Sequence, residues 1–425
     1  MGSNKIYYGP PGTGKTFMLQ HLIEEYTDYS VDDQIITNAY TRNSHKDWLL
    51  IALIIMQNNE PMTGQEILQK IRSMTFGNRY NKIPSDILEL HSIKDSILGN
   101  ARALPRIFKE KDSRWYIDRM RILEYDNNFM INYLSNDYIE KRYDFVTFHQ
   151  SFVYEDFVEG IRPYFDSATS SLGYEVQDGV FRKICKKAQN NPHKKFALFI
   201  DEINRGNVSE IFGELITLIE TDKRLGEYCE ITSILPYSKA EFGVPSNLDI
   251  IGTMNSADRS IAMIDLALRR RFEFINMTCD YRALEETISE TGLDVHDIDG
   301  IDVISLLRSI NLRIEFLLDA NHIIGQAYFI KVKSFQDIKN VLRKKIVPLL
   351  EEYFFDDLQK IQLVLNDLDD NMELKSNAIY THSELTTENL FDSIGDYGYE
   401  SKRSYSINQA FDRGSVQKIY SGMNI

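Results

Sequence analysis

The segment Gly9, Pro10, Pro11, Gly12, Thr13, Gly14, Lys15, Thr16 limits the possible folds more than any other feature of this chain. It has the spacing G-x-x-x-x-G-K-[ST], with a short apolar run (Lys5 to Tyr8) before it and a helical pattern after it. Strand, glycine loop and helix are the context in which this spacing cradles phosphate. Glycines let backbone N–H groups turn inward toward phosphate oxygens. The helix that follows presents its positive N-terminal end to the same anion. Lys15 is expected to reach the β- and γ-phosphates, and Thr16 to hold Mg²⁺ through its hydroxyl. A chance glycine turn would rarely satisfy all eight positions.

A nucleoside triphosphatase also needs a carboxylate on a second strand. The run Lys195 to Ile200 is continuously apolar from Phe196 on, as a strand buried on both faces requires, and it ends in Asp201-Glu202. Asp201 is placed to hold Mg²⁺ through water, and Glu202 to polarise the attacking water as a general base. Asn204 and Arg205 follow on the same loop. By itself such a turn could equally be an exposed acidic corner. A third apolar run, Asn247 to Thr253, leads into Met254-Asn255-Ser256-Ala257-Asp258-Arg259-Ser260. An asparagine at the end of that strand can orient the attacking water. A helix expected over Ile261 to Leu268 then runs into Arg269, Arg270 and Arg271. Three arginines at a helix end complement the helix dipole. They can also act as an arginine finger on a neighbouring subunit's γ-phosphate, which implies a ring.

Together these blocks resemble the AAA+ family and, within it, the McrB family, the GTP-hydrolysing subunits of McrBC-type modification-dependent restriction systems. Phe148-His149-Gln150-Ser151-Phe152, Tyr154 to Phe157 and Gly160 to Pro163 match one family block. Phe199 to Arg205, Met254 to Ser260 (with Ser256 in place of Thr), Ala267 to Phe272 and Pro348 to Asp357 match four more. The resemblance covers about residues 4–28 and 141–365. It implies an α/β AAA+ domain, with a parallel sheet and helices on both faces, over 1–30 and 141–280. It also implies a helical lid over 281–365. Asn204 and Asn255 would help place the water, and Asp265 would help bind a partner residue that stimulates hydrolysis. Arg270 and Arg271 would act in trans. The implied partners are a homo-oligomeric, hexameric ring, one McrC-type endonuclease subunit and DNA, with GTP and Mg²⁺ as cofactors. Residue spacing alone does not separate GTP from ATP. Two departures stand out. Gln326 in Ile324 to Phe329 replaces a family histidine, and these 425 residues hold no counterpart of the family's modified-base-binding domain.

The family joins the phosphate-loop helix to the next strand by a short connection, but here about 110 residues lie between Tyr29 and Tyr143. A structureless loop of that length is improbable in a compact domain. The pattern predicts helices over Asp47–Gln57, Gly64–Ile71 (Thr63 as N-cap, Glu66 three residues on) and Ser92–Leu104. Strands at Arg106–Phe108 and Trp115–Ile117 should follow, joined by a charged turn. Three helices and a basic hairpin are the layout of a winged helix, so residues 45–125 are read as an inserted winged-helix-like domain. Lys94 and Arg102 are the candidates for a DNA groove. Arg106, Lys109, Lys111 and Arg114 are those for phosphates. A protein-docking insertion with a solvated basic face is the competing reading.

The formal net charge of −15 argues at first against a nucleic-acid partner. It is unevenly spread, however. His91 to Leu123 holds eight basic and four acidic side chains, whereas Asn366 to Glu400 holds nine acids and only Lys375. Residues 366–425 are therefore expected to form an acidic tail. Cys185, Cys229 and Cys279 are too few and scattered for a disulfide framework or a zinc cluster. They read as small buried hydrophobes of a reducing, cytoplasmic protein. No apolar run approaches a bilayer span, so no membrane association is expected. No nuclease constellation is evident. The principal alternative function is an ATP-driven remodelling chaperone with the insert as a docking module. A transcription regulator would need a polymerase-contacting loop that the sequence does not display.

Overall fold

The computed structural model describes residues 2–43, 46–93, 103–125, 139–166, 171–258, 266–355, 357–386, 390 and 401–422. Its centre is a five-stranded sheet made of β1 (Asn4–Gly9), β2 (Tyr143–Thr147), β3 (Phe196–Asp201), β4 (Leu248–Asn255) and β5 (Glu273–Asn276). The order is β5-β1-β4-β3-β2, and every pair is parallel. Alternate residues feed two cores. Ile6, Leu198, Ile200 and Ile250 join one, with the helix Val180–Asn190. Tyr7, Ala197, Phe199 and Ile251 join the other, with Leu19 of α1 (Lys15–Glu25). Burial on both faces explains why β3 and β4 read as continuous apolar runs. The register sets Gly9 beside Asn255 and Thr147 beside Asp201, so the strand ends that carry the motifs share one edge.

The insert enters and leaves through a two-stranded antiparallel stalk. Thr27 pairs with Lys141, and Tyr29 with Ile139. Within it are helices Asp33–Arg42, Asp47–Asn58, Gly64–Ser73 and Pro84–Leu90, the hairpin Phe108–Lys111/Arg114–Ile117, and helix Arg119–Tyr125. Trp48 to Met56 are all buried, so Asp47–Asn58 is a core helix covered on every side. The capping box forms as expected: Glu66 N–H donates to Thr63 Oγ1 at 3.2 Å, and Thr63 N–H to Glu66 Oε2 at 2.7 Å. Met62, between two helices, bridges Trp115 of the hairpin and so ties the hairpin to the helices. The hairpin turns at Asp112 and Ser113, both with positive φ (53° and 62°), as a tight type I′ turn requires.

Most of the third helix expected over Ser92–Leu104 lies outside the described residues, and its described ends are not helical. Ser92 bridges Phe108, whereas Pro84–Leu90 is helical. Pro84 at the first helical turn fixes the start that the periodicity missed. The first wing strand also begins later than expected, at Phe108 rather than Arg106.

The lid core is built around helix Val303–Leu317 and helices from Phe335 to Val364. It also takes in Ile379, Tyr380, Phe411, Val416 and Ile419. The expected acidic tail is therefore part of the lid. Its hairpin Tyr380–Leu385/Lys402–Ile407 leads to helix Arg413–Tyr420, which packs on Val303–Leu317. Asp367 is wholly buried. It accepts the N–H groups of Ile379 and Tyr380, both at 2.9 Å, and pairs with Lys418 at 2.5 Å. Charge counting hid this because most of the described acids are exposed while sparse apolar residues face inward. Cys185 and Cys279 are buried as expected, but Cys229 is exposed, beside a fully exposed Tyr228.

Candidate nucleotide site

The phosphate loop leaves β1 at Gly9 and enters α1 at Lys15. Gly12 (φ +78°) and Gly14 (φ +89°) adopt the left-handed backbone that turns the loop. Lys15 Nζ donates to Gly9 O at 2.8 Å and Pro10 O at 2.6 Å, which holds its ammonium over the loop. Thr13 Oγ1 closes the turn by donating to Pro10 O at 2.9 Å. Thr16 lies exposed on the first turn of α1. Burial draws the Lys15 ammonium down to about 8, against an upward pull from Glu202, Asp201 and Asp258. Because Lys15 loses its charge as pH rises through that value, nucleoside diphosphate affinity should fall between pH 7 and 9. Titration calorimetry in two buffers should show proton uptake at the upper end. A Lys15→Arg variant, charged throughout, should bind with no such slope.

Asp201 and Glu202 stand at the end of β3. Thr253 Oγ1 donates to Asp201 Oδ1 and accepts Glu202 N–H at 3.1 Å, locking the two strand ends together. Glu202 has a left-handed backbone (φ 53°), uncommon outside glycine and a mark of functional corners. Its Oε2 is buried without a hydrogen bond, although Arg205 Nε lies 3.2 Å away. Asn204 is buried, its Nδ2 donates to Asn255 O at 3.3 Å, and its Oδ1 is buried without a partner. Asp258 accepts from Asn255 Nδ2 at 3.5 Å and pairs with Arg205 at 3.1 Å. The buried, unpartnered Asn204 Oδ1 beside the carboxylates is what a site built for a metal–phosphate ligand should hold. Thr16 and Asp201 are the oxygen donors that suit a magnesium ion. Beside Gly14, a cavity of about 1020 Å³ runs between α1 (Met18, His21) and the first lid helix (Asp280, Tyr281), roomy enough for a nucleoside.

Two other regions bear on the expected site. Asn4, at the start of β1, donates to Arg271 O at 2.9 Å, so the arginine segment lies at the opposite end of β1 from the loop. Five residues of strand make that about 16 Å. Arg270 is exposed. Arg271 differs from the expectation: its side chain is 4% exposed and pairs with Glu220 of the same chain at 2.7 Å. Asp265 lies outside the described residues. In the insert, Lys94 and Arg102 also lie outside them. Lys109 pairs with Asp118 at 2.6 Å, and Arg114 with Glu66 at 3.3 Å. Arg106 is half-buried and Lys111 is exposed at the wing tip. The helix Pro84–Leu90 carries Asp86 and Glu89 and no basic residue.

Comparison with known proteins matches residues 302–362 to the model described as "McrB, alpha-helical lid domain" and residues 128–272 to "AAA domain (dynein-related subfamily)". The Escherichia coli (strain K12) "Type IV methyl-directed restriction enzyme EcoKMcrB subunit" is 36% identical over 249 residues, covering 55% of this chain and 52% of that one. Over these stretches the chain is similar to McrB and to AAA domains. A second relative, "Type II restriction enzyme BsuMI component YdiS" of Bacillus subtilis (strain 168), is 26% identical over 214 residues, covering 47% of this chain and 61% of that one. The chain thus spans between half and two thirds of the length of each of these relatives. Among the described residues no helix is long and apolar enough to cross a membrane.

Some site residues of this McrB-like chain escaped the sequence. Thr253 is a polar residue inside an apolar strand, a signal that could have been read. Gln326 was noted only as a departure. Its Nε2 donates to Thr13 O at 3.2 Å, which puts the lid directly on the phosphate loop.

Proposed function

We propose that this chain is the GTP-hydrolysing motor subunit of a McrBC-type DNA restriction system, acting in a ring and activating a separate endonuclease subunit. The observation that carries the reading is the division of the sheet. Lys15, Asp201, Glu202 and Asn255 gather at one edge, while Arg270 stands at the other, about 16 Å of strand away. Arg270 therefore serves a neighbour's nucleotide rather than its own, and a finger in trans requires an assembly.

In each site Lys15 and the loop N–H groups bind the β- and γ-phosphates. Thr16 and Asp201 would hold Mg²⁺, which would supply neutralisation of charge on the phosphoryl oxygens. Glu202 accepts the proton of the attacking water, and Asn204 with Asn255 orients that water for in-line attack. The neighbour's Arg270 stabilises the charge of the transition state. The wing, with Lys111 exposed, supplies DNA backbone contacts, and the acidic helix Pro84–Leu90 makes base reading by that helix unfavourable. The kinship with two restriction-enzyme subunits supports restriction over the chaperone alternative.

The test is hydrolysis of GTP and ATP by the full chain, with and without duplex DNA and a McrC-type partner. GTP should be preferred and its turnover stimulated by the partner. Turnover of ATP alone, unaffected by the partner, would favour the remodelling chaperone. DNA cleavage by the chain on its own would contradict the division of labour.

A further inference from the structure

Three consecutive lid residues donate to three consecutive phosphate-loop carbonyls. Gly325 N–H donates to Pro11 O at 3.0 Å, Ala327 N–H to Gly12 O at 3.0 Å, and Gln326 Nε2 to Thr13 O at 3.2 Å. The approach is close. A Cβ on Gly12 would come within 2.6 Å of the Tyr328 ring, and one on Gly325 within 2.0 Å of the Gly12 carbonyl carbon. Gln326 is buried, and its other end is also occupied. Its Oε1 accepts Asp280 N–H at 3.0 Å, and Asp280 in turn caps the first lid helix through Ala283 N–H.

A trans peptide plane points its C=O and the next N–H in opposite directions. Holding the Pro11, Gly12 and Thr13 carbonyls outward therefore aims the N–H groups of Gly12, Thr13 and Gly14 inward, where phosphate oxygens bind. Two of these anchors are backbone groups that any residue supplies. The third is a side chain and depends on this glutamine.

We propose that Gln326 is a positioning residue for the phosphate loop: by drawing the Thr13 carbonyl toward the lid it aims the Gly14 N–H at the β-phosphate, and through Asp280 it ties that aim to the seating of the lid. The inference rests on reading the loop as a nucleotide site. Lid and loop become one unit, and the loop is shaped before the phosphate arrives. Ordering costs that would otherwise fall on binding are met in folding.

The experiment uses the full chain and fluorescent guanine and adenine nucleotides, each as monophosphate and diphosphate. Gln326→Leu removes both bonds. Gln326→Glu keeps an acceptor for Asp280 N–H but cannot donate to Thr13 O while ionised. Each variant should weaken diphosphate binding by about tenfold, the loss of one buried bond. Monophosphate binding should stay within about twofold, because a monophosphate has no β-phosphate for Gly14 to hold. Gln326→Glu should regain diphosphate affinity as pH is lowered through its carboxyl pKa, since the protonated acid can donate. A merely structural role would lower the thermal midpoint and weaken both ligands alike. An unchanged ratio of diphosphate to monophosphate affinity in folded Gln326→Glu, with no pH recovery, overturns the proposal whether or not Gln326→Leu folds. Failure of the wild-type chain to bind any diphosphate would instead overturn the nucleotide reading itself.

Discussion

Replacing Glu202 with Gln will lower nucleotide turnover by roughly 10²- to 10⁴-fold, the usual contribution of a positioned general base. Nucleotide affinity should hold, because glutamine keeps the size and planar head of the side chain. The left-handed backbone at Glu202 is fixed by its N–H bond to Thr253, which the substitution does not touch. Only the capacity to take a proton is lost. Steady-state phosphate release together with direct nucleotide titration separates the two effects. Normal turnover in Glu202→Gln would end the assignment of the water-polarising base. A parallel loss of binding would show that the residue shapes the pocket instead.

The second large effect concerns the far edge of the sheet. Arg270→Ala should reduce turnover by about 10³- to 10⁵-fold if the residue stabilises a neighbour's transition state. The decisive observation is complementation. Lys15→Ala subunits retain Arg270 but lack a working phosphate loop, while Arg270→Ala subunits have the opposite defect. Mixed, they should regain turnover that neither shows alone, because some interfaces pair an intact loop with an intact arginine. A finger acting within one chain would give no recovery. Arg271→Ala should behave differently. Arg271 is held by Glu220 inside its own subunit, so its loss should first appear as a lowered thermal midpoint.

Much of the candidate catalytic edge was legible in the sequence because several of its residues end buried strands. Gly9 closes β1, Asp201 closes β3 and Asn255 closes β4, and an apolar run that stops at a glycine or a polar residue marks such a place. The contacts that organise the edge were not legible. Gln326 meets Thr13 across 313 residues of chain, and no local pattern encodes such a meeting. Arg271 read as a second finger because three adjacent arginines look alike until one is seen to face Glu220. The insert shows the same division. Its buried helix and capping box follow from local chemistry. The helix Pro84–Leu90 escaped the sequence because seven residues opened by a proline give too little periodicity to read. Pairing also changed the meaning of its basic residues: Lys109 and Arg114 are largely neutralised by Asp118 and Glu66.

The stalk of the insert has an evolutionary reading. Tyr29 and Ile139 sit opposite each other on adjacent antiparallel strands, so the chain departs and returns at nearly one point. Everything between them could be exchanged for a hairpin turn without re-threading a single strand of the sheet. Such an opening behaves as a socket. A lineage carrying it can trade one inserted domain for another by recombination at two neighbouring residues, while the sheet beneath stays the same.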